Sequence, residues 1–285
     1  MAVGEQIRQT IHATKQTQKI TRAMQMVAAS KLVRTQAQMT KGRPYASHVL
    51  RVIRHMAYAT TQDPHIYMQH REVKRVGFLV VSTDRGLCGG LNLQQFRMLV
   101  DRVKSLKEQG VESSFCLIGQ KAVQFFNGHH FDVLAQSIQL SESPSVQDVI
   151  GVTKSMLDLF EQKKIDQVFL SFNDFVNTMS QKPVIQQVLP FPKAEEKPAQ
   201  DFWDYIYEPG STELMTILFR RYIESQIYQA VVENIASEQA ARMVAMKSAT
   251  DNAKDVIDEL QLDYNKVRQA VITQEIAEIT AGANT

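Results

Sequence analysis

Between Gly4 and Gly42 the chain has neither glycine nor proline, and Ile7, Ile11, Ile20, Met24, Val27 and Leu32 recur at spacings near three and four. That period predicts one long helix with an apolar seam. Gly42-Arg43-Pro44 interrupts the pattern, and Val49, Leu50, Ile53 and Met56 predict that it resumes to about Tyr58. The stretch from Ala23 to Ala29 is unusual, because only Gln25 is polar, so the helix has no obvious wet face. At the other end, Pro209-Gly210 is followed by about seventy residues without glycine or proline, closing at Gly282. At 1.5 Å per residue such a helix is on the order of 100 Å long. Leu214, Ile217, Leu218, Tyr222, Ile227, Val231, Ile235, Val256, Leu260, Tyr264, Val267, Val271 and Ile279 carry a seam along it. An isolated helix has no need of such a seam. Ala241, Ala245, Ala249 and Ala253, four residues apart, let a second helix approach closely, and Ala23, Ala28 and Ala29 of the first helix are the natural mates. The two ends of the chain are therefore expected to form a long antiparallel coiled coil.

Between the helices the period changes. Val76–Val81, Phe115–Ile118, Val133–Ile138, Val168–Phe172 and Val184–Leu189 read as strands, with helical stretches after the first three. Strands alternating with helices predict an open, Rossmann-like α/β sheet. The expected organisation is a helix over 1–58, an inserted α/β domain over 73–190, a proline-bearing linker over 191–210 and a helix over 211–285.

Composition narrows the function. With 44% hydrophobic and 22% charged residues, the chain is of ordinary globular composition. No apolar run approaches the roughly 18 residues of a membrane-spanning helix, so any membrane association is peripheral. Cys88 and Cys116 lack zinc-ligand or CxxC spacing and read as inert thiols in a reducing compartment. The net charge of +2 hides an asymmetry: before residue 60 about ten Lys and Arg face a single acid, Glu5. From Glu233 to Glu278 about nine acids face five bases, which suits the opposite helix. A transit peptide also fits a basic, acid-poor start, but the pattern runs too long and contains no cleavage site. Nucleic acid is set aside, since aromatics are not interleaved with the basic residues and no known binding motif is present.

The sharpest short motif is STDRGLCGGLN, residues 82 to 92, at a strand-to-helix junction. Backbone amides at such a junction can hold phosphate. The motif nevertheless lacks both GxGxxG and the Gly-Lys-Ser/Thr of a P-loop. A tight turn for close packing is the simpler reading. A nucleotide-binding α/β enzyme with oligomerisation helices stays as the alternative. There is no Ser-His-Asp pattern and no metal-ligand spacing among the seven histidines. No cofactor or metal is expected.

TQKITRAMQMVAASKL near the start, VVSTDRGLCGGLN in the centre, and SEQAARMVAMKSATDNA with YNKVRQAVITQEIAEI near the end resemble, in that order, the signature segments of the gamma subunits of F-type ATP synthase. The resemblance covers essentially the whole chain. It implies a non-catalytic central rotor stalk, turned by a c-ring and enclosed by three alpha and three beta subunits, with the epsilon subunit at its foot. Membrane association is then through the complex only. With no organelle extension and no cysteine-bearing chloroplast insert, the resemblance is to the bacterial type, on the cytoplasmic face of the inner membrane. Residue by residue, Met24, Arg242, Gln269 and Thr273, with Glu238 and Glu275 nearby, match contacts to the alpha/beta ring. Cys88, Tyr205 and Tyr207 match the epsilon and c-ring end. The sleeve of partner subunits would cover the helix that has no wet face.

Overall fold

The computed structural model describes residues 2–59, 65–139, 144–191 and 211–282. Tyr205 and Tyr207, and the linker beyond Phe191, lie outside these residues. The elements run α1 (Ala2–Ala59), a short 3-10 turn (Ile66–Met68), β1 (Arg75–Val81), α2 (Leu91–Glu108), β2 (Glu112–Ile118) and α3 (Gln120–Gly128). They continue with β3 (Asp132–Ser137), α4 (Val146–Glu161), β4 (Gln167–Phe175), β5 (Gln181–Leu189) and α5 (Ser211–Gly282). An inserted α/β sheet between two long terminal helices is the architecture the sequence pattern predicts. One expectation fails: α1 continues through Gly42-Arg43-Pro44. A proline inside a helix removes one backbone hydrogen bond and kinks the rod, and it need not end the helix when later turns are packed. Val49 and Ile53, just downstream, are buried.

By internal contacts the chain divides into two compact units, Met1–Ser30 with Arg242–Thr285, and Lys31–Ala241. In the first unit, a continuous row of less exposed positions runs along α1 through 4, 7, 11, 14, 18, 21, 25 and 28, and another along α5 through 246, 250, 253, 257, 260, 264, 267 and 271. Both rows alternate steps of three and four, the heptad spacing of a coiled coil. The helices are antiparallel. A Cβ on Gly4 would lie 4.0 Å from Tyr264 and Val267, while the Thr21 and Thr250 hydroxyls hydrogen-bond at 2.7 Å. The seam in α1 thus runs through Thr14, Gln18, Thr21 and Gln25. Ile20 and Val27, expected in it, point outward.

The second unit is built on a five-stranded sheet of order β3-β2-β1-β4-β5, with β1 to β4 parallel and β5 antiparallel to β4. Central β1 is buried on both faces, as a parallel strand between helices must be. Phe78 and Val80 join Phe96, Phe115 and Phe126 beneath α2 and α3. Leu79 and Val81 face a larger core containing Met156 and Phe160 of α4 and Phe219 and Ile227 of α5. Gly77 suits that packing, because a Cβ there would meet the Met156 sulfur at 2.5 Å and push that side chain aside. Higher on α5, residues 236 to 240 are buried at every position, with Leu32 of α1 and Phe175 of β4 against Ala236 and Ala240.

Candidate functional site

The outer surface of the first unit is its most distinctive feature. Ile20 is 59% exposed, Val27 53% and Met26 60%. Ile20 and Val27 are two turns apart and share one stripe of α1. Met24 is half-buried at the edge of that stripe. Near the end of α5, Ile272, Ile276 and Ile279 are exposed, and Val256 is exposed further back. Val256 and Ile279, expected in the seam, belong to this outer surface instead, as does Ile217 to that of the second unit. Gln269, Thr273 and Glu275 are open to solvent, with the Thr273 hydroxyl donating back to the Gln269 carbonyl at 2.8 Å. Arg242 differs, being buried in the first unit, and Glu238 is buried in the second. The six expected ring-contact residues are therefore of two kinds, four accessible and two packed within the chain.

The loop after β1 is closed by its own side chains. The Ser82 hydroxyl donates to the Ile118 carbonyl and accepts from the Ala122 amide. Asn92 donates to the Thr83 hydroxyl at 2.7 Å and accepts from the Thr83 amide at 3.3 Å. Asp84 Oδ1 accepts from the Gln120 amide at 2.8 Å, so a carboxylate sits at the amino end of α3. Fixed negative charge there opposes phosphate. Gly119, at φ 101, allows the close approach, since a Cβ would lie 2.4 Å from the Ser82 carbonyl oxygen. Cys88 is buried in this loop, where Asn92 donates to its sulfur. Burial likewise pushes the Cys116 thiol up to about 12.

Sequence reasoning missed the most organised polar group in the fold. In doubly wound sheets, ligands bind at the carboxyl ends of the strands where strand order reverses. Here that point lies between β1 and β4, and it is filled. Gln95 of α2 donates to the Val81 carbonyl at 2.9 Å and to the Ser171 hydroxyl at 3.2 Å. Asn173 of β4 donates through Nδ2 to Gln95 Oε1 at 2.8 Å and to Asn234 Oδ1 of α5 at 3.0 Å. The Asn173 amide also donates to Asn234 Oδ1, and the Ser237 hydroxyl donates to the Asn173 carbonyl at 2.9 Å. All five side chains are essentially inaccessible. A hint in the sequence is that Ser171 and Asn173 alternate with the apolar residues Leu170 and Phe172 in the buried part of β4.

A second polar cluster anchors the other end of this core. Tyr67, fully buried, donates to Glu161, which also pairs with Arg220 at 2.9 Å. Burial, followed by the Glu161 contact, pushes the Tyr67 hydroxyl up to about 12. Burial works to raise the Glu161 carboxyl, but hydrogen bonds from Tyr67 and Arg220 outweigh it and hold the group below its ordinary 4.5. His65 stacks on Phe219 and is lowered by burial. These groups brace the turn after α1 against α4 and α5.

This geometry defines a class of protein: one unit is a doubly wound sheet whose ligand crevice is plugged, and the other is a coiled coil of the terminal helices with apolar residues on its outside. Comparison narrows the class. A family model described as ATP synthase matches residues 4–285, and the chain belongs to that family, the gamma subunits of F-type ATP synthase. Its role is that of a central stalk subunit. Among solved structures, the rotor of Euglena gracilis mitochondrial ATP synthase matches at 20% identity, covering 95% of this chain and 99% of that one, with a TM-score of 0.64. A Euglena gracilis OSCP/F1/c-ring structure matches at 23% identity, covering 99% and 94%, with a TM-score of 0.68. The Tetrahymena thermophila mitochondrial central stalk and c-ring structure matches at 24% identity, covering 81% and 99%, with a TM-score of 0.60. At these identities the likeness is one of fold.

Proposed function

We propose that this central stalk subunit is a rotor that couples ion-driven turning of a c-ring to ATP synthesis on beta subunits, with no catalytic group of its own. The carrying observation is the apolar outer surface of the first unit, with the Ile20 and Val27 stripe and, beside it, Met26. A helix pair with hydrophobic residues on its outside calls for a surrounding protein surface. In this reading the sleeve is a ring of three alpha and three beta subunits. Met24, Gln269, Thr273 and Glu275 meet the ring directly, and Glu238 and Arg242 lie along the same helix. Cys88, Tyr205 and Tyr207 belong to the end facing epsilon and the c-ring. Neighbours described as rotor and c-ring assemblies support such partners. Functionally the chain divides into coiled-coil helices over 1–58 and 211–285, an α/β domain over 73–190 and a linker over 191–210.

No helix among the described residues is long and apolar enough to cross a membrane. Attachment is therefore assigned to the complex, peripheral to the cytoplasmic face of a bacterial inner membrane. The test is to tag the chain in its native host, solubilise the membranes gently, and assay the captured material for ATPase activity and subunit composition. ATPase with alpha, beta and this chain in three-to-three-to-one ratio is expected. Capture of the chain alone, or with unrelated partners and no ATPase, overturns the assignment.

A further inference from the structure

We infer that the buried amide network joining α5 to the sheet is a register lock through which torque passes between the sheet and the C-terminal helix. The inference rests on the rotor reading. Below the network, α5 meets the sheet through Met215, Phe219, Ile223 and Ile227, an apolar stripe repeating about every helical turn. Dispersion and the hydrophobic effect are non-directional, so such a stripe holds the helix against the sheet but opposes sliding or rolling only weakly. Hydrogen bonds are directional and weaken steeply when misaligned. Asn234 and Ser237 supply them on α5, one turn apart, and both engage the same residue, Asn173.

Asn173 is tied in turn to Gln95 and through it to β1 and the neighbouring Ser171. The chain of amides crosses all three layers of the fold, from α2 through the sheet to α5. It contains no ionisable group, so its hold does not change with pH. Nor is it optimal for stability, since Asn173 Oδ1 is buried without a hydrogen-bond partner among the described residues. Replacing such amides with apolar groups of similar size can be neutral or stabilising. A network that carries that cost fits a role in specifying position.

The test uses the whole ATP synthase reconstituted in vesicles, comparing ion-driven ATP synthesis with ATP hydrolysis for three chains. Asn234→Leu keeps the volume and removes the acceptor. Asn234→Asp keeps an acceptor for both Asn173 donors while adding a buried carboxyl. A purely structural residue predicts that the leucine variant is at least as good as the aspartate, because the buried carboxyl is the more destabilising change. The lock predicts the reverse for coupling. The synthesis-to-hydrolysis ratio should fall about tenfold in Asn234→Leu, the equivalent of one or two lost net hydrogen bonds, and recover in Asn234→Asp. A wild-type ratio in Asn234→Leu, or coupling that follows thermal stability across the three, overturns the lock. If Asn234→Leu fails to assemble, Gln95→Leu breaks the network from α2 and must lower the ratio likewise. A wild-type complex that makes no ATP would count against the rotor reading itself.

Discussion

If the outer stripe of the first unit is covered by other subunits, replacing it should leave the free chain intact and weaken the assembly. Ile20→Gln with Val27→Gln is the sharpest form. Complete burial of an Ile or Val side chain contributes about 1.5–3 kcal/mol. More than half of each is still exposed in the chain alone, so a covering partner gains about 1–1.5 kcal/mol per residue, or roughly 2–3 kcal/mol for the pair. Association with an alpha/beta ring should fall about 30–150-fold. The free chain should change by no more than about 0.5 kcal/mol, the usual range for exposed positions. Leu32→Ala is the control: Leu32 is 5% exposed, and its truncation should destabilise the free chain by about 2–5 kcal/mol. Denaturant unfolding reads the first quantity, and titration of the ring with labelled chain reads the second. Unchanged association, or a free chain weakened as much by the double substitution as by Leu32→Ala, would refute the reasoning.

Met24→Lys, which sets a charge at the edge of the same stripe, should permit assembly but lower ATP made per ion gradient; reconstituted vesicles with unchanged coupling would count against it. In the free chain, amide exchange should be fast across residues 272–280, where every side chain is exposed, and slow in β1 and β2; uniform protection to the helix end would show otherwise. Glu161 is held below its ordinary 4.5, so its stabilising effect is present above that pH and lost as pH falls through the depressed value. The gap in urea midpoint between wild type and Glu161→Gln should therefore be open at pH 7 and close below pH 4.5; a constant gap would show that the carboxylate's charge plays no part. Asp84→Ala, which removes the acceptor for the Gln120 amide at the start of α3, should lower stability by about 0.5–2 kcal/mol in chemical unfolding. An unchanged midpoint would mean that the contact contributes nothing.

The two long helices were legible because each holds a helical period over many residues, and the strands because they are short apolar runs separated by helical stretches or turns. The seam was not. Ile20 and Val27 fit a helical repeat as well as Thr14, Gln18, Thr21 and Gln25 do, and hydrophobicity favours the wrong row. Hydrophobic residues awaiting a partner chain look the same in sequence as those that fill a core, so an all-apolar stretch announces that the helix is covered without saying which face is covered by what. The Gly42-Arg43-Pro44 break failed for a related reason: local propensity gives way where neighbouring turns are packed. The polar network was hidden more deeply. Gln95, Asn173 and Asn234 lie far apart in sequence, and nothing local distinguishes a buried amide from a solvated one.

The closed crevice bears directly on why a doubly wound sheet is present here. Such sheets usually leave an opening at the reversal point because the helices on the two faces diverge there. In this chain Gln95 enters the opening from α2, Asn173 from β4, and Asn234 with Ser237 cover it from α5. The position of a ligand is thereby given to a helix of the same chain. Asp84 acts in the same sense one loop away, placing a carboxylate where a phosphate would sit. A nucleotide-binding enzyme needs that crevice open and that helix end free. A stalk needs its long helix fixed to a stiff plate at defined points, and these contacts supply them, so the residues that close the site for chemistry are the ones that make it a joint.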